Sequence, residues 1–287
     1  MSRLLVSVTA SERPDLLALQ LRNYDWALGP GVTHIIHVAR KGRDAFLAGL
    51  DADPGIVLNP RSAETVVSNN FLGHVSNFRH AVAEGIPFDR FYMHTANDLL
   101  VRPGLPAAMA GQDVGLGRPV LIRSISKDYW REMVLTDERL LAHSRRHGIE
   151  GGVLKAHTDG AFFPREVFAA ILDDIFRDMP EEALSPTATR YPPQEYWLAC
   201  VLDSLVRSAG LRWGRNAILV LERTRGRGEP VTAEEVRAVH VGRAAEVVKT
   251  FLPESVYGLK YFSPDPGHPA RAAVAAIMAG QDGVCGA

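Results

Sequence analysis

Apolar and polar positions follow two rhythms along the first half of this chain. Short apolar runs at Leu4–Val8, Val32–Val38, Gly55–Leu58, Arg90–His94 and Val120–Ser124 have the length and flanking turns of buried strands. Between them the period lengthens. Leu17, Leu21 and Tyr24 recur at helical spacing, and Asp44–Leu50 reads as a short helix. Val67, Phe71, Val75, Phe78 and Val82 step by 4, 4, 3 and 4 residues, the stripe of an amphipathic helix. Strand and helix in turn predict an α/β fold, a mostly parallel central sheet flanked by helices.

The second half is less regular. Ser126–Glu150 is charged and helical in part, Gly160–Phe163 resembles a strand, and Arg165–Phe176 a helix. Pro192-Pro193 opens a helix to about Arg207, because proline is tolerated in a first helical turn. Ala217–Leu221 is a late strand, Arg223–Pro230 a loop and Gly280–Ala287 a frayed tail. No repeat divides the chain, so residues 1–287 are read as one domain with an elaborated C-terminal half.

Composition narrows the partners. With 46% hydrophobic and 23% charged residues, the chain is neither disordered nor coiled-coil. Lys+Arg 32 against Asp+Glu 33 excludes the strong positive charge that nucleic-acid binding needs, so any cationic site must be a local cluster. Cys200 and Cys285 are the only cysteines. They are read as reduced thiols, which suits a cytoplasmic location. The first apolar run stops at Ser11-Glu12-Arg13, too early for a signal peptide, and no stretch of 18 apolar residues predicts a transmembrane helix.

Dinucleotide, phosphate-loop, zinc and serine-hydrolase motifs are all missing from the sequence. His34 and His37 lie three apart on one strand and so face opposite sides. His143 and His147 share a helix face, but neighbouring Arg145 and Arg146 repel a cation, so that face is read as solvated.

Three constellations can carry chemistry. Asn97 and Asp98 follow an expected strand, at the carboxyl edge where open parallel sheets bind ligands; a plain turn explains them equally well. Glu195 lies in the first turn of the helix opened by Pro192-Pro193. It is either a carboxylate complementing the helix dipole or a general base. Arg223, Arg225, Arg227, Arg237, Arg243, Lys249 and Lys260 concentrate positive charge late in the chain. They suit phosphate contact or simple surface solvation.

Five segments, in order, resemble those of the core-2/I-branching β-1,6-N-acetylglucosaminyltransferase and xylosyltransferase family, in its short bacterial form. His34-Ile35-Ile36-His37-Val38-Ala39-Arg40-Lys41 is similar to Y-x-V/I-H-V-D-x-K. Phe91-Tyr92-Met93-His94-Thr95-Ala96-Asn97-Asp98-Leu99-Leu100 is similar to a strand ending in S/C-G-x-D-x-P-I/L. His157-Thr158-Asp159-Gly160, running to Arg165, is similar to G-S-x-x-x-x-x-S/T-R. Tyr191-Pro192-Pro193-Gln194-Glu195-Tyr196-Trp197 is similar to T/Y-x-P-D-E-x-x-W/F. Val236-Arg237-Ala238-Val239, with Gly258-Leu259-Lys260-Tyr261-Phe262, is similar to the family's paired basic segments.

The resemblance implies a type A glycosyltransferase (GT-A, Rossmann-like) fold. Residues 1–125 would form its nucleotide-sugar-binding half and 126–270 its acceptor and catalytic half. It implies an inverting enzyme, with a UDP-sugar as donor (UDP-GlcNAc or UDP-xylose) and a hydroxyl of a glycan or small molecule as acceptor. Glu195 would be the base. Arg237 and Lys260 would hold the diphosphate, with no metal or other cofactor. Asp98, Asn97, Asp159, Gly160 and Trp197 would line the acceptor and donor site. Two departures stand out: Ala39 replaces the aspartate that touches the nucleoside, and Gln194 replaces the aspartate before the base. The alternatives are a metal-dependent enzyme binding Mn2+ or Mg2+ through Asp98, with Asp128 as a further ligand, and a non-catalytic sugar- or nucleotide-binding protein, which Ala39 favours. A structural partner in polysaccharide assembly is a weaker third. Tyr129, Trp130 and Trp213 are candidates for stacking on sugar rings, with core packing as the other reading.

Overall fold

Strand β1 (Leu4–Ala10) is buried along its whole length, Ser7 and Thr9 included, as befits a central parallel strand covered on both faces. It pairs in parallel with β2 (Val32–Val38) on one side and with β4 (Arg90–His94) on the other. β3 (Ile56–Leu58) adds in parallel beyond β2. Beyond β4 lie antiparallel β9 (Phe162–Pro164), then β6 (Val114–Gly115) and β10 (Trp213–Gly214), so the seven-stranded order is β3-β2-β1-β4-β9-β6-β10. The computed structural model describes residues 2–10, 13–29, 31–50, 56–65, 69–95, 98–185, 188–220, 229–247 and 255–281.

The strand period of two sorts side chains into two cores. Leu5, Ile35, Phe91, Met93 and Phe163 face α3 (Phe71–Ala83), α7 (Arg165–Asp178) and α8 (Pro193–Ala209). Leu4, Val6, Val8, Ile36 and Tyr92 face α1 (Pro14–Leu28), which contributes Leu17, Leu21 and Tyr24. Each such aliphatic or aromatic side chain contributes about 1.5–3 kcal/mol by leaving water. Helix α8 begins with Pro193 and ends at Gly210, whose φ of 64° is the left-handed cap that glycine adopts without strain.

Two smaller sheets complete the described residues. β5 (Asp98–Leu100) pairs antiparallel with β12 (Gly258–Lys260), which pairs in parallel with β11 (Ile218–Val220). Helices Ala233–His240 and Pro269–Met278 pack on this sheet through Val236, Val239, Val274 and Leu259. The first of them starts with a capping box, Thr232 with Glu235. The run at Val120–Ser124, expected in the main sheet, instead forms β7 (Val120–Ile122), paired only with β8 (Val153–Lys155). Gly152 permits that pairing, since a Cβ there would lie 2.0 Å from the Ile122 carbonyl oxygen. α5 (Arg131–Thr136) and α6 (Glu138–Arg146) fill the connection. The helix expected from Val67 is described from Phe71, and Val67 itself lies outside the described residues. Cys200 is a buried free thiol, and Cys285 lies outside the described residues.

Candidate active site

The parallel strands β1, β2 and β4 end at one edge, and β5 starts just beyond it with Asp98. The side chain of Asp98 is fully buried. Its Oδ1 accepts the Tyr24 hydroxyl at 2.7 Å and lies 2.8 Å from His94 Nε2. Its Oδ2 accepts the Thr95 backbone N–H at 3.1 Å and the Thr95 hydroxyl at 2.9 Å. Burial pushes this carboxyl up, but His94, Tyr24 and Thr95 outweigh it and hold it below its usual range. The expected ligand-facing role of Asp98 is therefore corrected: the carboxylate points inward and fixes the corner leaving β4. Asn97 lies outside the described residues.

Glu195 projects from the first turn of α8, where an acidic group complements the helix dipole. In the stretch from Tyr191 to Leu202 it is the one residue that is not buried. Lys155 Nζ lies 3.2 Å from Glu195 Oε2, and His157 Nδ1 lies 3.5 Å from Oε1. Lys155 is anchored in turn, 2.8 Å from Asp128 Oδ2. Asp128 Oδ1 accepts the Tyr196 hydroxyl at 2.8 Å and the Trp130 backbone N–H at 2.9 Å. The Ala156 N–H donates to the Glu195 carbonyl at 2.8 Å, which ties α8 to the segment after β8. Burial pushes the Glu195 carboxyl up, but the adjacent His157 and Lys155 outweigh it and leave it below its ordinary value.

Two residues beyond His157, Asp159 Oδ1 accepts from Lys260 Nζ at 2.7 Å. Lys260 stands opposite Asp98 in the register of β5 and β12. Burial pushes its ammonium down, but Asp159 and other neighbouring negative groups raise it above its usual value. Gly160 makes the turn into β9 at φ 71°, and its N–H donates to the Met93 carbonyl at 3.0 Å. A Cβ there would lie 2.6 Å from Ile218 and 3.0 Å from the Tyr92 hydroxyl.

The other expected residues scatter. Arg237 is exposed on helix Ala233–His240, and among the described residues no ion pair joins it to Asp159. Trp197 is 1% exposed, its indole N–H donates to the Tyr191 hydroxyl, and His143 packs at 4.5 Å. It fills the core and offers no face to a sugar, which corrects its placement at the site. Trp130 and Trp213 are partly buried against the same core, whereas Tyr129 is 67% exposed. Arg243 is exposed, 3.5 Å from Glu246, and Arg223, Arg225, Arg227 and Lys249 lie outside the described residues. Ala39 is buried and bonds Ala10 through its backbone.

The histidine face on α6 is also corrected. His143 and His147 are buried rather than solvated, because Asp178 and Asp174 on α7 receive them at 2.8 and 2.9 Å. Arg146, read as repelling a cation, bonds both of those carboxylates itself. His34 and His37 diverge as expected, to Asp25 and to the Ala63 carbonyl.

Sequence reasoning missed Lys155 and His157. A signal was present: Lys155 and His157 flank Ala156, the period-two spacing that puts two polar groups on one side of an extended segment.

No family model matches the chain, and no curated protein does. Among solved structures, the chain is similar to galactosyltransferase LgtC in complex with donor and acceptor sugar analogs, at 12% identity over 98% of this chain and 97% of that one, with a TM-score of 0.42. It is similar to an active-site mutant of LgtC at 12% identity over the same shares, with a TM-score of 0.43.

Proposed function

We propose that this chain is an inverting glycosyltransferase of the type A class, independent of metal. It moves a sugar (N-acetylglucosamine or xylose) from a UDP donor to a hydroxyl of a glycan or small acceptor. The observation that carries the reading is the Glu195 carboxylate, partly exposed in the first turn of α8 and kept below its ordinary value by His157 and Lys155, with Lys260 held by Asp159 two residues beyond His157 in the chain. A carboxylate there can take the proton of an acceptor hydroxyl as it attacks. The attacking oxygen bonds the anomeric carbon from the face opposite the diphosphate, whose bond breaks with its electron pair. Negative charge then gathers on UDP, where preorganised cations stabilise it. An ammonium has three donors; Asp159 takes one of Lys260's, leaving the rest for phosphate oxygens. The family resemblance assigns the second cation to Arg237, which is exposed on its helix.

Asp98 and Asp128, the carboxylates of the metal-dependent alternative, do not fit a divalent ion on the diphosphate. Asp98 is buried among Tyr24, His94 and Thr95, and Asp128 is engaged by Lys155, Tyr196 and Trp130. Hard cations need several free oxygen ligands, and neither carboxylate offers one to the edge where Lys260 lies. With Ala39 buried, recognition of the donor base falls to other groups.

The test is Glu195→Gln. The reading expects transfer to drop at least about 100-fold while UDP affinity, measured by calorimetry, stays within about threefold of wild type. Retained turnover in that variant contradicts the base assignment.

A further inference from the structure

Between β7 and α5 the chain turns its side chains alternately inward and outward. Ser126, Asp128 and Trp130 face the molecule. The Ser126 hydroxyl accepts the Arg123 backbone N–H at 2.8 Å, Asp128 meets Lys155 and Tyr196, and Trp130 packs on the main core. The residues between them and just before them, Ile125, Lys127 and Tyr129, are exposed. This period of two sets an aliphatic, a cationic and an aromatic side chain on the outward side, and exposed Arg123 begins the row. Ile125 is 87% exposed and Tyr129 67%, the two highest values for a large hydrophobic side chain among the described residues. The turn that carries Ile125 has a fixed shape. The Ser126 N–H donates to the Arg123 carbonyl at 2.9 Å, and Arg131 Nη1 donates to the Ser124 and Ser126 carbonyls at 3.0 and 3.2 Å.

Charge on this stretch is one-sided. From Arg118 to Arg131 the chain has four basic residues and one acidic residue, Asp128. Asp128 points inward to Lys155, and the next acidic group, Glu132, lies 3.3 Å from Arg131. Among the described residues, Arg123 and Lys127 form no ion pair. A cleft of about 270 Å³ adjoins the turn, lined by Ser124, Leu135, Leu141, Ile149 and Arg145, so a further exposed cation and an apolar wall stand beside the row.

We propose that this row docks on a membrane surface rich in anionic lipid. Ile125 enters beneath the headgroups, the Tyr129 ring sits at their level, and the stems of Arg123 and Lys127 keep their charges at the lipid phosphates. A stable protein partner needs about 20–30 residues a side, far more than the row presents. A lipid surface needs no such area, because each basic residue near it strengthens adsorption about fivefold. Docking of this kind needs only the exposed row and none of the proposed sugar chemistry.

The experiment is co-sedimentation of the full chain with vesicles of phosphatidylcholine, with and without phosphatidylglycerol. Wild type is expected to partition onto the phosphatidylglycerol vesicles at least about tenfold better, and to be released as salt rises from about 0.1 to 0.5 M. Lys127→Glu and Ile125→Ser are each expected to weaken that partitioning at least about fivefold. Both positions are exposed, so cooperative melting like that of wild type is expected. Arg22→Glu makes the same charge change on the exposed side of α1, which packs on the other core, and is expected to stay within about twofold of wild type. Absent binding, equal binding to both vesicles, or binding that salt does not weaken overturns the proposal. So do Lys127→Glu and Ile125→Ser variants that sediment like wild type, or an Arg22→Glu loss as large as that of Lys127→Glu. A dimer of the vesicle-free protein that Ile125→Ser abolishes assigns the row to a second copy and overturns it as well.

Discussion

Asp98 and Glu195 are both acidic residues next to turn-forming neighbours in the sequence, yet the fold uses them in opposite ways. Glu195 is partly exposed, while Asp98 is sealed beneath the sheet edge with Tyr24 and a stacked His94, whose rings lie 3.9 Å apart. Removing one partner of a buried pair leaves a charge or donor without compensation. Asp98→Ala is therefore expected to cost about 3 kcal/mol of unfolding free energy, measured by urea denaturation. A loss under about 0.5 kcal/mol would contradict the structural role assigned to it. At this scale the place of Glu195 in a first helical turn was legible, because Pro192-Pro193 marks the helix start. It misplaced Asp98 and Trp197 because burial depends on what packs above a residue, which no local spacing encodes. The contact of His157 with Glu195 was not legible, because it joins two different elements.

Strands and helices were more legible than their pairings. The runs at Leu4, Val32 and Arg90 and the stripe through Phe71, Val75 and Phe78 appear as elements because one face or both are buried. Pairing partners were not legible: β7 leaves the main sheet for β8, and two-residue strands such as Val114–Gly115 carry too little pattern to detect. The α6–α7 contact shows what such packing does to titration. Burial lowers His143 to about 4, although Asp178 opposes the shift, and burial lowers His74 on α3 to about 3. Above the ordinary histidine value near 6.5 both the folded and unfolded chains hold these rings neutral. As pH falls from about 6.5 to about 4 the unfolded chain takes up protons that the folded chain does not, so stability falls. The slope is about 1.4 kcal/mol per pH unit for each ring. Asp174 and Asp178 are held below their usual range, so their contribution is lost only at more acidic pH, below about 4. Urea denaturation of wild type and His143→Gln between pH 6.5 and 4 is expected to show a shallower slope in the variant. Parallel slopes would show that His143 is not the buried neutral ring described.

For the whole molecule, a formal net charge of −1 conceals a local arrangement. Lys155, His157 and Asp159 follow one another on one stretch of chain, where Lys155 and His157 meet Glu195 of α8 and Asp159 meets Lys260 of β12, while Arg237 is exposed on helix Ala233–His240. The α/β architecture was readable from the alternation of periods. Which cations and carboxylates face one another was not readable, because segments distant in sequence meet there. Among the described residues no helix is long and apolar enough to cross a membrane. The central claim is that this site transfers a sugar from UDP without a metal. Its most direct measurement is UDP release from UDP-GlcNAc and UDP-xylose by the purified chain in excess EDTA, with Glu195→Gln alongside. The account predicts UDP from at least one donor with wild type and about 100-fold less with the variant. Folded wild-type protein that releases no UDP from either donor, or releases it only when Mn2+ or Mg2+ is added, would contradict it.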